Sequence, residues 1–146
     1  MTDETAGFFP HSYFHVGVVV PDLEAAVAET ERALGFVFNP PHESQYGGDT
    51  IRVTYARQGP PYYELIEGAP GSRWDTRGGP HLDHIGYFSH DLDADVATLE
   101  AAGMAVNIDG REYGGVFTYH RAAATGMRVE LVGEAWRDRV MRSIRG

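Results

Sequence analysis

Two histidines and two glutamates recur at matching places in the two halves of this 146-residue chain. His15, in the phrase His-Val-Gly, returns 69 residues later (84 − 15 = 69) as His84 in His-Ile-Gly. Glu64, in Glu-Leu-Ile, returns 66 residues later (130 − 64 = 66) as Glu130 in Glu-Leu-Val. Two neutral imidazoles and two carboxylates form a donor set that suits Zn, Mn, Fe, Co or Ni. Because a duplicated unit brings matching positions together near its symmetry axis, the pattern predicts one divalent metal site.

The alternation of side chains along a strand predicts that these four residues share one face of a sheet. In the first strand, His15 shares its face with Tyr13, whereas Phe14 takes the opposite, apolar face that packs under a helix. In the last strand, Glu130 lies in the middle of the open face. Two carboxylates that face one cavity repel each other unless a cation lies between them, which again favours a metal.

Each half of the chain reads as a strand, a helix and three further strands. In the first half the strand ends at Pro21, Asp22 is the predicted helix N-cap and Gly35 ends the helix. The second half repeats this pattern with Asp91 and Gly103. Turn residues then separate short β-rich runs at 36–45, 51–57 and 62–67, and at 104–109, 116–121 and 127–132.

Length and composition set the broad class of the protein. Residues 1–146 suit a single domain, with modules at 10–68 and 81–133 and a C-terminal helix at 134–145. Cysteine is absent, so a metal must bind nitrogen and oxygen, and a reducing cytoplasm is expected. The net charge of −9 disfavours nucleic acid as a partner. No signal peptide or membrane span is predicted, so we expect a soluble protein.

Other residues carry weaker signals. His120 could line the site as a proton relay or occupy an ordinary surface position on a strand. Three arginines could bind an anionic substrate tail: Arg111, Arg121 and Arg128. Four histidines at turns or strand ends are interpreted as solvated: His11, His42, His81 and His90. Several aromatic residues could wall a substrate pocket: Phe9, Tyr13, Tyr62, Trp74, Phe88, Tyr113 and Tyr119.

These motifs resemble the vicinal oxygen chelate superfamily, which includes glyoxalases, bleomycin resistance proteins and extradiol dioxygenases. The likeness covers about residues 13–133 and rests on the two His-x-Gly phrases, the helix ending in Leu-Gly-Phe and the two Glu-Leu phrases. The resemblance implies an α+β fold in which two pseudo-symmetric βαβββ modules form a metal-holding cup. It also implies that one divalent ion (Zn, Ni, Co, Mn or Fe) is bound by His15, Glu64, His84 and Glu130.

The resemblance further implies an activity. The alternation of His, Glu, His and Glu is similar to that of glyoxalase I, and the segment 117–121 is similar to that of methylmalonyl-CoA epimerases. Both imply a metal-dependent isomerase, epimerase or lyase that removes a proton alpha to a metal-bound carbonyl of a small-molecule substrate. Glu130, or its counterpart Glu64, is then the general base, with the other as the opposing acid.

The family also implies a homodimer, with the cup built either within one chain or across two. Besides a thiol transferase that inactivates an antibiotic, two other functions stay open on the sequence alone. One is a non-catalytic protein that binds a small molecule such as an antibiotic. The other is an Fe(II) extradiol-type dioxygenase, although that chemistry uses two histidines and one carboxylate, and this chain has a second carboxylate.

Overall fold

The computed structural model describes residues 12–76 and 78–146. Within this part of the chain, eight strands and three helices follow one another in the predicted order. The strands are β1 (Tyr13–Val19), β2 (His42–Tyr46), β3 (Asp49–Tyr55), β4 (Tyr62–Gly68), β5 (His81–Ser89), β6 (Val106–Asp109), β7 (Phe117–Arg121) and β8 (Arg128–Gly133). The helices are α1 (Leu23–Leu34), α2 (Leu92–Ala101) and α3 (Arg137–Arg145), with 3-10 turns at Gly110–Tyr113 and Glu134–Trp136.

The helix ends follow the capping residues found in the sequence. The Asp22 side chain accepts a hydrogen bond from the backbone N–H of Ala25 (3.0 Å) at the start of α1. Asp91 accepts the equivalent bond at the start of α2. Gly35 ends α1 in the left-handed conformation, with φ of 71°, which is favourable for glycine.

All eight strands belong to one curled sheet, in the order β2-β3-β4-β1-β5-β8-β7-β6. The central pair, β1 and β5, is antiparallel, whereas each of these strands pairs in parallel with the last strand of its own half. Since β5 to β8 are the copies of β1 to β4, the order reads the same from either edge. The pseudo-two-fold axis therefore passes between β1 and β5, which confirms the paired βαβββ architecture.

The two faces of the sheet have different partners. Helix α1 packs on one face through Leu23, which contacts the Leu65 cluster of the first half. Helix α2 covers the equivalent region of the second half, where its Leu99 packs in one cluster with Leu131 of β8. The concave face carries an aromatic cluster, against which α3 packs its buried Ile144. No helix in the described part of the chain is long and apolar enough to cross a membrane.

Two β-bulges interrupt the pairing of the central strands. In β5, Asp83 is an extra residue, because Gly17 pairs with His84 and the next residue of β1 pairs with Leu82. In β1, Phe14 is the extra residue in the equivalent place. A bulge lets two successive side chains point to the same side of a sheet, so the strict alternation expected from the sequence is broken here.

The bulge in β1 makes the predicted placement of two aromatic residues wrong. Phe14 was expected under the helix, but it is buried in the concave cluster and stacks on Phe88 with 3.8 Å between ring centroids. Tyr13 was expected on the face of His15, but its ring neighbours Tyr87, which packs with α2. The extra residue in the strand reverses the parity on one side of the bulge.

Candidate metal centre

Two rows of residues cross the middle of the sheet, and each contains one glutamate, one glycine and one histidine. The members of a row lie on three neighbouring strands and face one another in the strand register. The rows are Glu64–Gly17–His84 and Glu130–Gly86–His15. Each row takes its histidine from one half of the chain and its glutamate from the other. The duplication therefore places all four predicted ligands beside the pseudo-two-fold axis.

The glycine of each His-x-Gly phrase makes room for the histidine of the other phrase. A Cβ atom added to Gly17 would overlap the ring of His84, and one added to Gly86 would overlap the ring of His15. Each imidazole thus lies directly over the neighbouring strand and extends toward the glutamate of its row. The recurrence of glycine two residues after histidine therefore has a steric cause.

The four side chains converge on one point, as the sequence predicted. One potential ligand atom from each lies within 4.8 Å of all the others, and all four residues are buried. The Nε2 atoms of His15 and His84 are 2.9 Å apart. Glu130 Oε2 lies 2.9 Å from His15 Nε2 and 3.2 Å from His84 Nε2. Glu64 is slightly farther, at 3.8 Å from His15 and 3.5 Å from His84.

These distances fit a divalent cation. Two ligands that lie about 2.1 Å from one ion are about 3.0 Å apart at a right angle and about 3.4 Å apart at the tetrahedral angle. The two facing imidazole nitrogens are 2.9 Å apart, and a shared cation between them, either a metal ion or a proton, removes the repulsion of their lone pairs. Glu130 Oε2 is buried, and its close neighbours among the described residues are the two imidazole nitrogens, which also fits a metal ligand. All four candidate ligands come from one chain.

The two carboxyl groups differ in their electrostatic surroundings. Burial would raise the pKa of Glu130, but hydrogen bonds from both histidines hold it well below its usual range. Burial dominates at Glu64 and raises its pKa, because the positive charge of the histidines is farther away and Glu130 repels a second negative charge. Equivalent positions in the fold therefore carry unequal carboxylates.

Two tyrosines that the sequence did not single out as a pair complete the rows. Tyr55 on β3 pairs with Glu64, and Tyr119 on β7 pairs with Glu130. The Tyr55 hydroxyl donates a hydrogen bond to Glu64, and burial with two nearby glutamates raises the pKa of both tyrosines well above 10. Their spacing of 64 residues (119 − 55 = 64) is close to that of the glutamates, so the repeat contained a signal for them.

The histidines also differ in what their second ring nitrogen contacts. His84 Nδ1 lies 2.9 Å from Asp83 Oδ2, and that carboxylate is paired in turn with Arg128. Burial would lower the pKa of His84, but hydrogen bonds to Asp83 and Glu130 raise it to about 10. Within residues 12–76 and 78–146, His15 Nδ1 is buried without a hydrogen-bond partner.

A cavity of about 220 Å³ opens above the four ligands. Glu64 and Glu130 line it, whereas both histidines are fully buried beneath. The remaining wall comes from β2, β3, β7, β8 and the C-terminal segment and is mixed, with both polar and apolar side chains. The 3-10 turn before α3 contributes Trp136 and α3 contributes Arg139, so the C-terminal segment forms part of the wall. The side chain of Asn39 holds this helix by donating hydrogen bonds to its last turn.

The arginines and the histidine that gave weaker signals in the sequence mostly lie away from the cavity. Arg128 was a candidate for an anionic tail, but it is buried beside Asp83, and Arg111 is paired with Asp109. His120 is neither a relay in the cup nor a surface residue, since it is buried and its ring nitrogens contact Thr118 and a backbone carbonyl.

Some of the histidine and aromatic candidates lie at the cavity, and others lie elsewhere. His42 was interpreted as solvated, and it is exposed, while it also lines the cavity. Tyr119 lines the cavity, as expected for a pocket wall, whereas Trp74 and Phe88 are buried in the concave cluster and do not line it. Tyr113 is exposed. The sequence missed Tyr46, Phe117 and Trp136, which also line or border the cavity. Two candidates lie outside the described residues: Phe9 and His11.

Comparisons with solved structures agree with this fold. Methylmalonyl-CoA epimerase from Mycobacterium tuberculosis aligns with a TM-score of 0.63 and 20% identity, over 84% of this chain and 87% of that one. A variant of the Streptomyces coelicolor epimerase in complex with 2-nitronate-propionyl-CoA gives 0.61 and 20%, over 85% and 97%. A 4-hydroxymandelate synthase variant from Streptomyces coelicolor gives 0.62 and 16%, over 83% of this chain and 48% of that one. These identities support the shared fold.

Sequence comparison adds the family. No curated protein matches the chain. The family described as the Glyoxalase/Bleomycin resistance protein/Dioxygenase superfamily matches residues 14–124, which is most of the chain and contains three of the four candidate ligands. The fourth, Glu130, lies just beyond the match, on the strand that pairs with β5. Together with the paired βαβββ modules, this match shows that the chain belongs to the Glyoxalase/Bleomycin resistance protein/Dioxygenase superfamily.

Proposed function

We propose that this protein is a metal-dependent isomerase, epimerase or lyase that acts on a small carbonyl compound. The observation that carries the proposal is the convergence of two imidazoles and two carboxylates beneath a cavity. A divalent ion in this site would act as a Lewis acid on a substrate carbonyl and so favour loss of an α-proton. His15 and His84 would hold the ion from below, where they are shielded from solvent.

Glu64 and Glu130 are the groups that would move the proton. Both line the cavity, so each can reach a carbon atom of a substrate bound there. Glu64 is the looser of the two with respect to the imidazoles, at 3.5 and 3.8 Å, and its pKa is raised. We therefore assign removal of the α-proton to Glu64, which keeps that proton. Delivery of a second proton to the opposite side falls to Glu130, which is ionised in the resting protein and must first take up a proton from solvent. Tyr55 would orient Glu64 through its hydroxyl hydrogen bond.

The cavity suggests the kind of substrate. Its volume of about 220 Å³ suits a small molecule or the reacting end of a longer one. Arg139 is the one arginine among the described residues that line it, and its guanidinium lies 4.6 Å above the Trp136 ring. An arginine at this position favours a substrate with a carboxylate or another anionic group beside the carbonyl. Two of the structurally similar proteins are methylmalonyl-CoA epimerases, one of them in complex with a CoA thioester analogue.

The experiment is an α-proton exchange assay in deuterated water. The protein is loaded with Zn, Ni, Co, Mn or Fe(II) and incubated with a panel of α-hydroxyketones, thioester acids and thiol adducts of ketoaldehydes. NMR then follows deuterium incorporation and product formation. The proposal expects exchange or conversion that requires the metal and is lost in the double variant Glu64→Gln/Glu130→Gln.

Two results would contradict the proposal. Tight binding of a small molecule with no exchange under any metal would make this chain a binding protein. Oxygen consumption with Fe(II) and a catechol, again without proton exchange, would make it a dioxygenase. The matched control is Glu67→Gln, since Glu67 lies on the same strand as Glu64 but bonds the N-terminus of α1 on the other face.

A further inference from the structure

The two metal-facing histidines occupy equivalent positions in the fold, but the residues before them are chemically different. Asp83 precedes His84, whereas Phe14 precedes His15. Both of these residues are the extra residues of the two β-bulges, so both are buried on the concave side. Arg128 pairs with His84 in the register of the neighbouring strand. One histidine thus has an ion pair beside it, and the other has an aromatic ring.

The ion pair is connected to His84 by short contacts. Arg128 Nη2 donates to both carboxylate oxygens of Asp83, at 2.9 and 2.8 Å. Asp83 Oδ2 then lies 2.9 Å from Nδ1 of His84. Arg128 is only 1% exposed and Asp83 is 9% exposed, so both charges are removed from water. The three side chains form a continuous chain of contacts that ends at the metal-facing imidazole.

Arg128 is itself held on several sides. Its guanidinium lies over the rings of Tyr119 and Trp74, at 4.8 and 5.5 Å from their centroids. It also donates to the side chain of Asn107 and to the backbone carbonyl of Arg73. A buried ion pair contributes little net stability compared with an apolar pair of the same size. The many contacts around the Asp83–Arg128 ion pair therefore indicate that the pair holds a neighbouring side chain in position.

The contact with Asp83 determines which His84 nitrogen faces the metal site. A carboxylate only accepts hydrogen bonds, so Nδ1 of His84 must carry a proton and donate it to Asp83. When the ring is neutral, Nε2 then presents its lone pair to the other three ligands. His15 lacks this constraint among the described residues, because its Nδ1 has no hydrogen-bond partner there.

We propose that Asp83, held in place by Arg128, is a positioning residue that fixes His84 for metal binding. His84 is then the anchored imidazole of the pair, and His15 is the one that adjusts to the ion. This inference rests on the proposed metal site, since it assigns a role toward the same ion. It concerns binding and geometry, so it can be tested without any substrate.

The test is a Zn²⁺ titration of metal-free protein with a competing chelator, at one pH and ionic strength. Asp83→Asn is expected to weaken Zn²⁺ binding by about 10- to 100-fold, as removal of a carboxylate behind a ligating histidine does elsewhere. Arg128→Met is expected to weaken binding in the same direction. The double variant should bind within about threefold of Asp83→Asn alone, because Arg128 acts through Asp83. The control is Asp109→Asn, which also loses an aspartate paired with an arginine but lies away from the histidines.

A second readout separates positioning from a merely structural role. With Co²⁺ in place of Zn²⁺, the visible ligand-field spectrum of Asp83→Asn should shift relative to wild type and to the control variant. If Asp83→Asn does not fold, Arg128→Met and Asp83→Glu, which keeps the carboxylate, are measured in its place. Asp83→Glu should then bind more tightly than Arg128→Met.

The outcomes distinguish this inference from the proposed function. If the Asp83 and Arg128 variants are less heat-stable but bind Zn²⁺ as tightly as wild type with an unchanged Co²⁺ spectrum, Asp83 is a structural residue and the inference is wrong. The metal site would be unaffected by that result. If wild-type protein binds no Zn²⁺ or Co²⁺, the proposed function fails, and the inference fails with it.

Discussion

At the scale of single residues, the duplication produced pairs that are equivalent in position and unequal in chemistry. Glu130 contacts both imidazoles closely, whereas Glu64 is farther from them and accepts a hydrogen bond from Tyr55. Groups whose surroundings move their pKa values in opposite directions are suited to opposite roles in proton transfer. The unequal pair therefore predicts that the two glutamates contribute differently to binding and to turnover.

This difference can be measured by replacing each glutamate with glutamine. Glu64→Gln should keep the metal but lower turnover by about 10²- to 10⁴-fold, since it removes the group that accepts the proton. Glu130→Gln should lower both turnover and metal affinity, because Glu130 is the carboxylate closest to both histidines. Metal analysis and kinetics at saturating metal separate the two effects. Equal loss of metal in both variants would show that the carboxylates are equivalent.

The pH dependence of metal binding follows from the same contacts. In the metal-free protein, hydrogen bonds to Asp83 and Glu130 overcome burial and raise the pKa of His84 to about 10, so the ring is protonated at neutral pH. Metal must displace this proton, so the apparent affinity should rise by about tenfold per pH unit between pH 6 and 8 for each proton released. Isothermal titration in buffers of different ionisation enthalpy counts these protons. Binding that is independent of pH would show that His84 is not protonated in the metal-free protein.

The convergence of the four candidate ligands could be predicted from the sequence because the repeat and strand parity both select these residues. The contact of Asp83 with His84 could not be predicted, because strand parity places the two side chains on opposite faces of the sheet. Only the bulge at Asp83 puts both side chains on the same face. Such a bulge depends on the register between β1 and β5, which are far apart in sequence. Arg128 was noticed for its charge, but its burial beside Asp83 depends on the same register.

At the scale of elements, the close approach of β1 and β5 sets the depth of the site. Each strand carries a glycine where the histidine ring of the other strand lies, so the imidazoles rest on backbone and not on side chains. The bulges then turn Phe14 and Asp83 to the same side as the histidines. The arrangement predicts that these glycines cannot be replaced without moving the ligands.

Gly17→Ala tests this steric requirement. The new Cβ would overlap the His84 ring, so the ring must shift away from the other ligands. We expect Zn²⁺ affinity to fall at least tenfold, and stability to fall by about 1–3 kcal/mol from overpacking. Gly48→Ala is the matched control, because a Cβ at Gly48 has open space around it. If Gly17→Ala binds Zn²⁺ as tightly as the control variant, the histidine positions are not set by this contact.

Helix α3 provides a second prediction at this scale, because it brings Arg139 to the cavity. Arg139→Gln should lower kcat/KM for a substrate with a carboxylate by about 10- to 100-fold, the effect of losing one charged hydrogen bond. The change should be small for an uncharged analogue. Arg142→Gln is the control, since Arg142 is exposed on the same helix and does not line the cavity. An equal effect of both variants would indicate a general loss of positive charge.

The helix itself was predicted at 134–145 from the spacing of its apolar residues; its end agrees, but residues 134–136 form a 3-10 turn and α3 begins at Arg137. Its place against the cavity was not predicted. That place depends on contacts such as the hydrogen bonds from Asn39 to the last turn of α3, across more than 100 residues of sequence. Local patterns determine where a helix begins and ends, but they do not determine what it covers.

At the scale of the whole molecule, the site lies between two copies of one unit. Each copy supplies one histidine and one glutamate, and the two central strands carry the two histidines. The repeat made this topology predictable from sequence, because two similar βαβββ units can pair symmetrically about a pseudo-two-fold axis. The ligands come from one chain, while the homodimer expected from the family resemblance stays a prediction that sedimentation analysis would test.

The central claim is that one divalent cation is bound jointly by His15, Glu64, His84 and Glu130. The most direct measurement is the metal content and titration stoichiometry of protein purified without chelator, compared with the variant His15→Ala/His84→Ala. We predict one divalent ion per chain in the wild type and none in the variant, with both proteins folded by circular dichroism. A folded wild type that binds no divalent ion, or a variant that binds it equally well, would contradict the claim.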